Sequence, residues 1–307
     1  NEVVADLAAT LPTPQDGGRT YVFTLRPDIR FSNGQPLTTA DVVASFRRIF
    51  RVGSPTAGSF YSAIAGADAC LNHPVDCSLK DGLSDDPARR TITFHLAQPD
   101  TEFLQKLAFT HAVILPASTP DHDIGNEPIP GTGPYRITSY DPNKILRLDR
   151  NPYFHVWDAQ AQPDGYPDGI DYSFGIPDEA AVTAVENGQY DWMADTVPMD
   201  RLGELGSRFT AQTHVTPHPA MYFIPMNVNL PPFNQIKARQ AVNYALNRKA
   251  MVILYGGPGI ARPLCGMLPS SLAVTSDQCF YTRGASPSAP AARWTAPDLE
   301  KARALVR

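Results

Sequence analysis

"GTGPYRITSYDPNKILRLDRNPYF", Gly131 to Phe154, is the stretch on which the reading of the fold turns. Two glycines bracket Thr132, Pro134 comes next, and Tyr135 and Ile137 then alternate with polar residues. The pattern suits a phosphate-cradling loop, a catalytic turn or the sharp start of a strand. A phosphate loop needs a Lys-Ser/Thr pair after its last glycine, and none is present. The residues after Pro134 have strand period, so no helix N-terminus faces an anion. The stretch therefore reads as a structural turn, with Gly131 or Gly133 at positive φ and Pro134 fixing the direction of the first strand. Two strands then flank the turn "DPN".

Upstream, "RTYVFTLR" sets Tyr21, Phe23 and Leu25 against Val22, Thr24 and Arg26, a period-two strand introduced by "DGG". "TTADVVASFRRIF" opens with Thr38 and Asp41 at capping-box spacing. Val42, Phe46, Ile49 and Phe50 come next on one helical face. Residues 53–87 read as an elaborated loop, "RTITFHL" as a second strand with Ile92, Phe94 and Leu96 inward, and "TEFLQKLAF" as a short helix. Downstream, "DEAAVTAVENGQYDWMAD" predicts a helix stopping at Asn187–Gly188 and a short strand after it. "MYFIPMNVN" predicts another strand. "QIKARQAVNYALNRKAMVILYGG" predicts one long helix with Ala238, Val242, Ala245 and Leu246 on a face, ended by Gly256–Gly257. Strands and helices intermingle, so the class is α/β or α+β.

Bulk properties exclude several functions. A chain of 307 residues with 43% hydrophobic and 19% charged residues can bury a real core. The formal net charge of −5 argues against nucleic acid as a partner. No apolar run reaches the roughly 18–20 residues that cross a bilayer. The opening "NEVVADL" is no signal peptide, and the closing "DLEKARALVR" reads as a helix interrupted, so the chain is taken as a stretch of a longer protein. Cys70, Cys77, Cys265 and Cys279 form two local pairs without CxxC spacing. Disulfides Cys70–Cys77 and Cys265–Cys279, in an oxidising compartment, are weighed against four unpaired thiols in a cytosolic protein.

Candidate chemistry is sparse. His214 and His218 in "HVTPH" stand four apart, but Pro217 opposes a helix and no third ligand is at hand. Asp121, His122 and Asp123 read as a solvated loop. Asp85–Asp86 and Asp178–Glu179 read as solvated acids at a turn and a helix start. There is no GxSxG elbow. No catalytic residue, metal ligand or cofactor is therefore assigned. Trp192, on the strand expected after the helix, is either a core residue with Tyr190 or a flat wall of a binding cleft, with Asp195 and Thr196 at the exposed strand end.

Three blocks in order resemble the family 5 extracellular solute-binding proteins, the peptide-, dipeptide- and nickel-type receptors of ABC importers. They are "YVFTLRPDIRFSNGQPLTTADVVASFRRIF", "PGTGPYRITSYDPNKILRLDRNPYF" and "FIPMNVNLPPFNQIKARQAVNYALNRKAMV". The resemblance implies a two-lobed, periplasmic-binding-protein-like type II fold. It places a β-rich subdomain of lobe one at 1–125, the main part of lobe one at 126–222, and the first part of an incomplete lobe two at 223–307. It also implies non-catalytic capture of a small solute, a peptide before other classes, in the cleft between lobes, and delivery to an ABC permease by a monomer. The strand at 221–229 would pass the ligand, with Tyr222 as an apolar wall and Asn227 and Asn229 either hydrogen-bonding the ligand or holding the hinge. The expected location is extracytoplasmic, as a membrane-anchored lipoprotein or on the cell surface. The loop with Cys70 and Cys77 and the stretch "NPYFHVWDAQAQPDGYPDGI" resemble an actinobacterial-like branch. Some members of that branch are ligand-sensing domains appended to transcriptional regulators, which would be cytoplasmic. A hydrolase is the remaining alternative, distinguished by turnover on ester or peptide substrates.

Overall fold

The computed structural model describes residues 2–216, 220–269 and 278–307. Contacts divide the chain into two compact units, Asn1–Gly175 and Ile176–Arg307. The described sheets are antiparallel, so of the two mixed classes the architecture is α+β.

The first unit is built on two three-stranded sheets. In one, β1 (Thr20–Thr24) and β2 (Leu83–Asp86) flank β3 (Thr91–His95). Tyr21 lies opposite Phe94 and Phe23 opposite Ile92, so the period-two apolar residues share a face. Helix α1 (Thr39–Arg51) covers that face with Val42, Phe46 and Phe50. Its capping box forms, Thr38 with Asp41, as the spacing predicts. Phe46 meets Tyr61 and Phe94 edge-on, and Phe94 meets Phe103, an aromatic core whose offset geometry reflects ring quadrupoles.

Residues 53–87 depart from the expected loop. They hold α2 (Thr56–Tyr61), α3 (Ala67–Asn72) and β2. Both helices have only six residues, too short for a visible 3.6-residue period, and they are held by burial of Ala57, Tyr61, Ala67 and Cys70. Cys70 is bonded to Cys77 within this core, and Cys265 to Cys279 in the second unit. Asp85 and Asp86 sit on β2 rather than at a turn, and Asp85 accepts a hydrogen bond from the Thr39 hydroxyl at 2.5 Å. Helix α4 (Phe103–Leu107) lies where the short helix is predicted.

In the second sheet β5 (Ile145–Arg150) lies between β4 (Tyr135–Asp141) and β6 (Gly169–Ser173). The strand starts directly after Pro134, but neither Gly131 nor Gly133 adopts positive φ. Their turn is held by side-chain bonds instead. Asn151, 5% exposed, donates through Nδ2 to the Gly133 carbonyl at 2.9 Å and through its amide to the Pro134 carbonyl at 2.8 Å. Its Oδ1 accepts from the Tyr153 amide at 3.0 Å. The Gly131 carbonyl accepts from the Ser32 amide at 2.8 Å, tying "FSNG" to "GTGPY". Gly34 has φ +86 and lies so close to Tyr153 that a Cβ would stand 2.8 Å from the ring. These bonds make the signature stretch a structural node.

The second unit carries α5 (Asp178–Glu186), α6 (Leu202–Arg208), α7 (Ile236–Ala245), α8 (Arg248–Leu254) and α9 (Leu299–Val306). Helix α5 ends at Asn187 and Gly188, the latter at φ 69, as the C-cap pair predicts. The single long helix expected from 235 to 257 is instead α7 and α8. Asn247 interrupts it by capping α8, accepting from the Ala250 amide at 3.1 Å. The buried residues of α7 are Ala241 and Tyr244, not the expected face, and Ala245 is exposed, because α9 packs there through Ala302. Gly256 and Gly257 end α8 at φ 90 and 85.

Candidate functional site

The ligand-contact candidates Trp192, Asp195, Thr196, Tyr222, Asn227 and Asn229 lie in the second unit. The strand expected at 190–197 does not form. The chain leaves α5 by turning back on itself, with the Gln189 and Tyr190 amides both donating to the Ala184 carbonyl, and no strand among the described residues offers a ladder to the segment beyond. Trp192 is consequently 69% exposed, which removes the core reading, and Asp195 and Thr196 are exposed beside it.

The strand expected at 221–229 is likewise irregular. Asn227 closes a local turn, its Oδ1 accepting from the Asn229 amide at 3.0 Å and its carbonyl from the Leu230 amide at 3.2 Å. The two asparagines therefore do not present one strand face. The Asn229 side chain is exposed, while that of Asn227 is engaged by its own turn. Tyr222 is 81% exposed, and its ring lies 4.6 Å from that of Tyr255.

Tyr255 and Gly256, at the end of α8, gather both segments. A Cβ on Gly256 would stand 2.8 Å from Met199 Sδ and 3.2 Å from Leu202. A Cβ there would press on the ends of the Met199 and Leu202 side chains, and φ +90 favours glycine at this position. Tyr222 reaches the neighbouring position through Tyr255. Sequence reasoning took Gly256–Gly257 only as a helix stop and missed this meeting point. The aromatic at 255 immediately before two glycines was the available signal. Among the described residues no ring contact or hydrogen bond joins Trp192 directly to Tyr222.

Electrostatics fix the framework around these segments. Arg201 bonds Glu179 at 2.9 Å, Glu186 at 3.0 Å and Glu204 at 3.1 Å, linking α5 to α6. The hydrogen bond to Glu179, with help from Glu186, holds its guanidinium further into its charged range. Glu204 is held below the usual carboxylate range, first by its hydrogen bond from Arg208. Arg248 is lowered by burial, and its Nε has no partner among the described residues.

Among the described residues there is no group of three His, Cys, Asp or Glu able to hold a metal. His218 of the "HVTPH" pair lies outside the described residues. Asp121 pairs with Arg51 at 2.7 Å, the His122 carbonyl accepts from Arg48, and Asp123 accepts from the Gly125 amide, so each of the three has a different partner. No helix among the described residues is long and apolar enough to cross a membrane.

Comparison with known proteins identifies the family and the fold. The profile of the bacterial extracellular solute-binding proteins, family 5 Middle, matches residues 2–307. The glutathione-binding protein GsiB of Salmonella typhi is 27% identical over 267 residues, 85% of this chain and 47% of its own length. Among solved structures, the clavulanic acid biosynthesis oligopeptide binding protein 2 superimposes with a TM-score of 0.72 at 22% identity, over 99% of this chain and 54% of that one. The periplasmic oligopeptide-binding protein OppAIV of Borrelia burgdorferi gives 0.72 at 20% identity, over 98% and 56%. These likenesses show the periplasmic-binding-protein-like fold, and the chain spans about half the length of the curated relatives it matches. With the profile covering nearly every residue, the chain belongs to the bacterial extracellular solute-binding proteins of family 5.

Proposed function

We propose that the protein of which this chain is a part captures a peptide-like solute outside the cytoplasm, without chemical conversion, for an ABC importer. Membership of a solute-binding family, from residue 2 to residue 307, carries the reading. Relatives named for glutathione and oligopeptides support the ligand class. The disulfides Cys70–Cys77 and Cys265–Cys279 suit an oxidising compartment. The protein acts as a monomer, with lobe boundaries after 125 and 222.

The surface proposed to meet the ligand holds Trp192, Asp195 and Thr196 on one segment and Tyr222 and Asn229 on the other. Exposed aromatic faces contribute apolar area without specifying a side chain, and the neighbouring polar groups supply hydrogen bonds to peptide backbone. Any closure on binding draws on the ligand's higher affinity for the closed state.

The test is native mass spectrometry and calorimetry on the full-length protein with glutathione, dipeptides and an oligopeptide pool. One-to-one binding is expected. Trp192→Ala removes about 2 kcal/mol of apolar burial, roughly a thirtyfold loss of affinity. Absence of any ligand from all three classes overturns the reading.

A further inference from the structure

The last two turns of α1 carry Arg47, Arg48 and Arg51, all half-buried. Each is fixed through its Nε to a backbone carbonyl: Arg47 to Ser78 at 2.6 Å, Arg48 to Pro120 at 2.8 Å and Arg51 to Cys77 at 3.0 Å. Arg48 Nη2 also donates to the His122 carbonyl at 2.8 Å, and Arg51 Nη1 to Asp121 at 2.7 Å. The three side chains line a cavity of about 110 Å³ with Ala117, Thr119 and Asp121.

The donors left over after these bonds decide the chemistry. Both terminal nitrogens of Arg47, Nη1 of Arg48 and Nη2 of Arg51 make no hydrogen bond within the described residues. Fixing each Nε sets the plane of the guanidinium, so the unused donors are held in place before any ligand arrives. Asp121 is the one acidic residue in the lining, so three positive charges face one negative charge, in a chain whose net charge is −5. The Thr119 hydroxyl adds a further donor without a partner in the described residues. Latching the loops explains the Nε bonds but leaves the terminal donors without a role. Guanidinium forks match the paired oxygens of a tetrahedral oxyanion, whereas an ammonium offers only a point charge. A cavity of this size has room for several waters, and so for one such group.

We propose that this cavity binds a phosphate group with at least two unesterified oxygens, as free phosphate or as the exposed phosphomonoester of a lipid headgroup. The site lies within the first unit and is independent of solute capture.

Calorimetry with inorganic phosphate on the full-length protein, and co-sedimentation with phosphatidic acid vesicles against phosphatidylcholine vesicles, separate the two sources. Saturable phosphate binding assigns free phosphate. Binding confined to phosphatidic acid vesicles assigns the headgroup. Arg47→Gln, which gives up one carbonyl contact, weakens whichever is observed at least tenfold. Asp121→Asn removes the opposing charge and tightens it several-fold, an opposite sign that loop loosening does not produce. No binding to either probe, or equal binding by wild type and Arg47→Gln, overturns the proposal. Should Arg47→Gln fail to fold, unchanged or weaker binding by Asp121→Asn overturns it.

Discussion

Replacing Asp41 by asparagine changes one oxygen to an amide nitrogen and leaves the volume almost untouched. The residue is 7% exposed, and its carboxylate accepts three hydrogen bonds. Oδ2 takes the Thr38 amide at 2.7 Å and the Thr38 hydroxyl at 2.6 Å, while Oδ1 takes the Ala117 amide at 2.7 Å. Asparagine keeps a single acceptor oxygen, and its NH₂ must face an N–H group on one side or the other. If the oxygen stays with Thr38, the Ala117 amide loses a charge-assisted bond worth about 1.5–3 kcal/mol. If it stays with Ala117, the capping box is lost, worth about 1 kcal/mol, and in either orientation the charge at the helix N-terminus is lost, worth about 0.3–1 kcal/mol. Thr38 and Ala117 are themselves exposed, so water recovers part of either loss. A net destabilisation of about 2 kcal/mol is expected. Hydrogen exchange read on peptides spanning 115–120 localises it: amide exchange there should accelerate roughly thirtyfold, since about 1.4 kcal/mol is a factor of ten. Exchange within about twofold of wild type would refute the assignment of Asp41 as the tie between α1 and this segment.

Asn151→Ala removes the bonds to the Gly133 carbonyl and the Tyr153 amide, and should cost about 1–3 kcal/mol in urea unfolding, with new proteolytic cleavage near 131–134. Gly34→Ala should cost about 1–3 kcal/mol, because φ +86 and the Tyr153 ring both oppose a Cβ; a melting temperature equal to wild type would contradict the packing. Burial pushes the Tyr61 hydroxyl up to about 12. The unfolded chain releases that proton near 10, so this contribution to stability is intact below about pH 10 and falls as pH rises towards 12. Burial and Asp100 also raise Tyr21, so alkaline titration of tyrosinate absorbance should show more than one late-ionising group, of which Tyr61→Phe removes the one near 12.

Local signals in the sequence were reliable where one short stretch determines its own structure. The Thr38–Asp41 box, the alternation in Thr20–Thr24 and Thr91–His95, and the Asn187–Gly188 stop each depend on neighbours within a few residues. Failures occur where distant atoms decide. Gly131 and Gly133 are held by Asn151 and Ser32, so their glycine character did not reveal φ. Asn247 split an apparently continuous helix because its side chain caps α8, which a hydrophobic pattern does not register. Trp192 and Tyr222 sit on segments with strand composition, yet no strand among the described residues pairs with either. Family resemblance therefore identified the fold, while the meeting of these segments at Tyr255 and Gly256 emerged only from coordinates.

The cysteine pairing has a consequence for biosynthesis. Four cysteines allow three connectivities. The one formed joins first to second and third to fourth, at separations of 7 and 14 residues. For the export proposed above, this is the order in which these thiols would emerge, so an oxidase acting vectorially would join each of the two pairs as it appears. Each loop lies inside one contact unit, and reduction of one bond leaves the other unit's covalent framework unchanged. Export in a host without a disulfide isomerase should therefore still form Cys70–Cys77 and Cys265–Cys279.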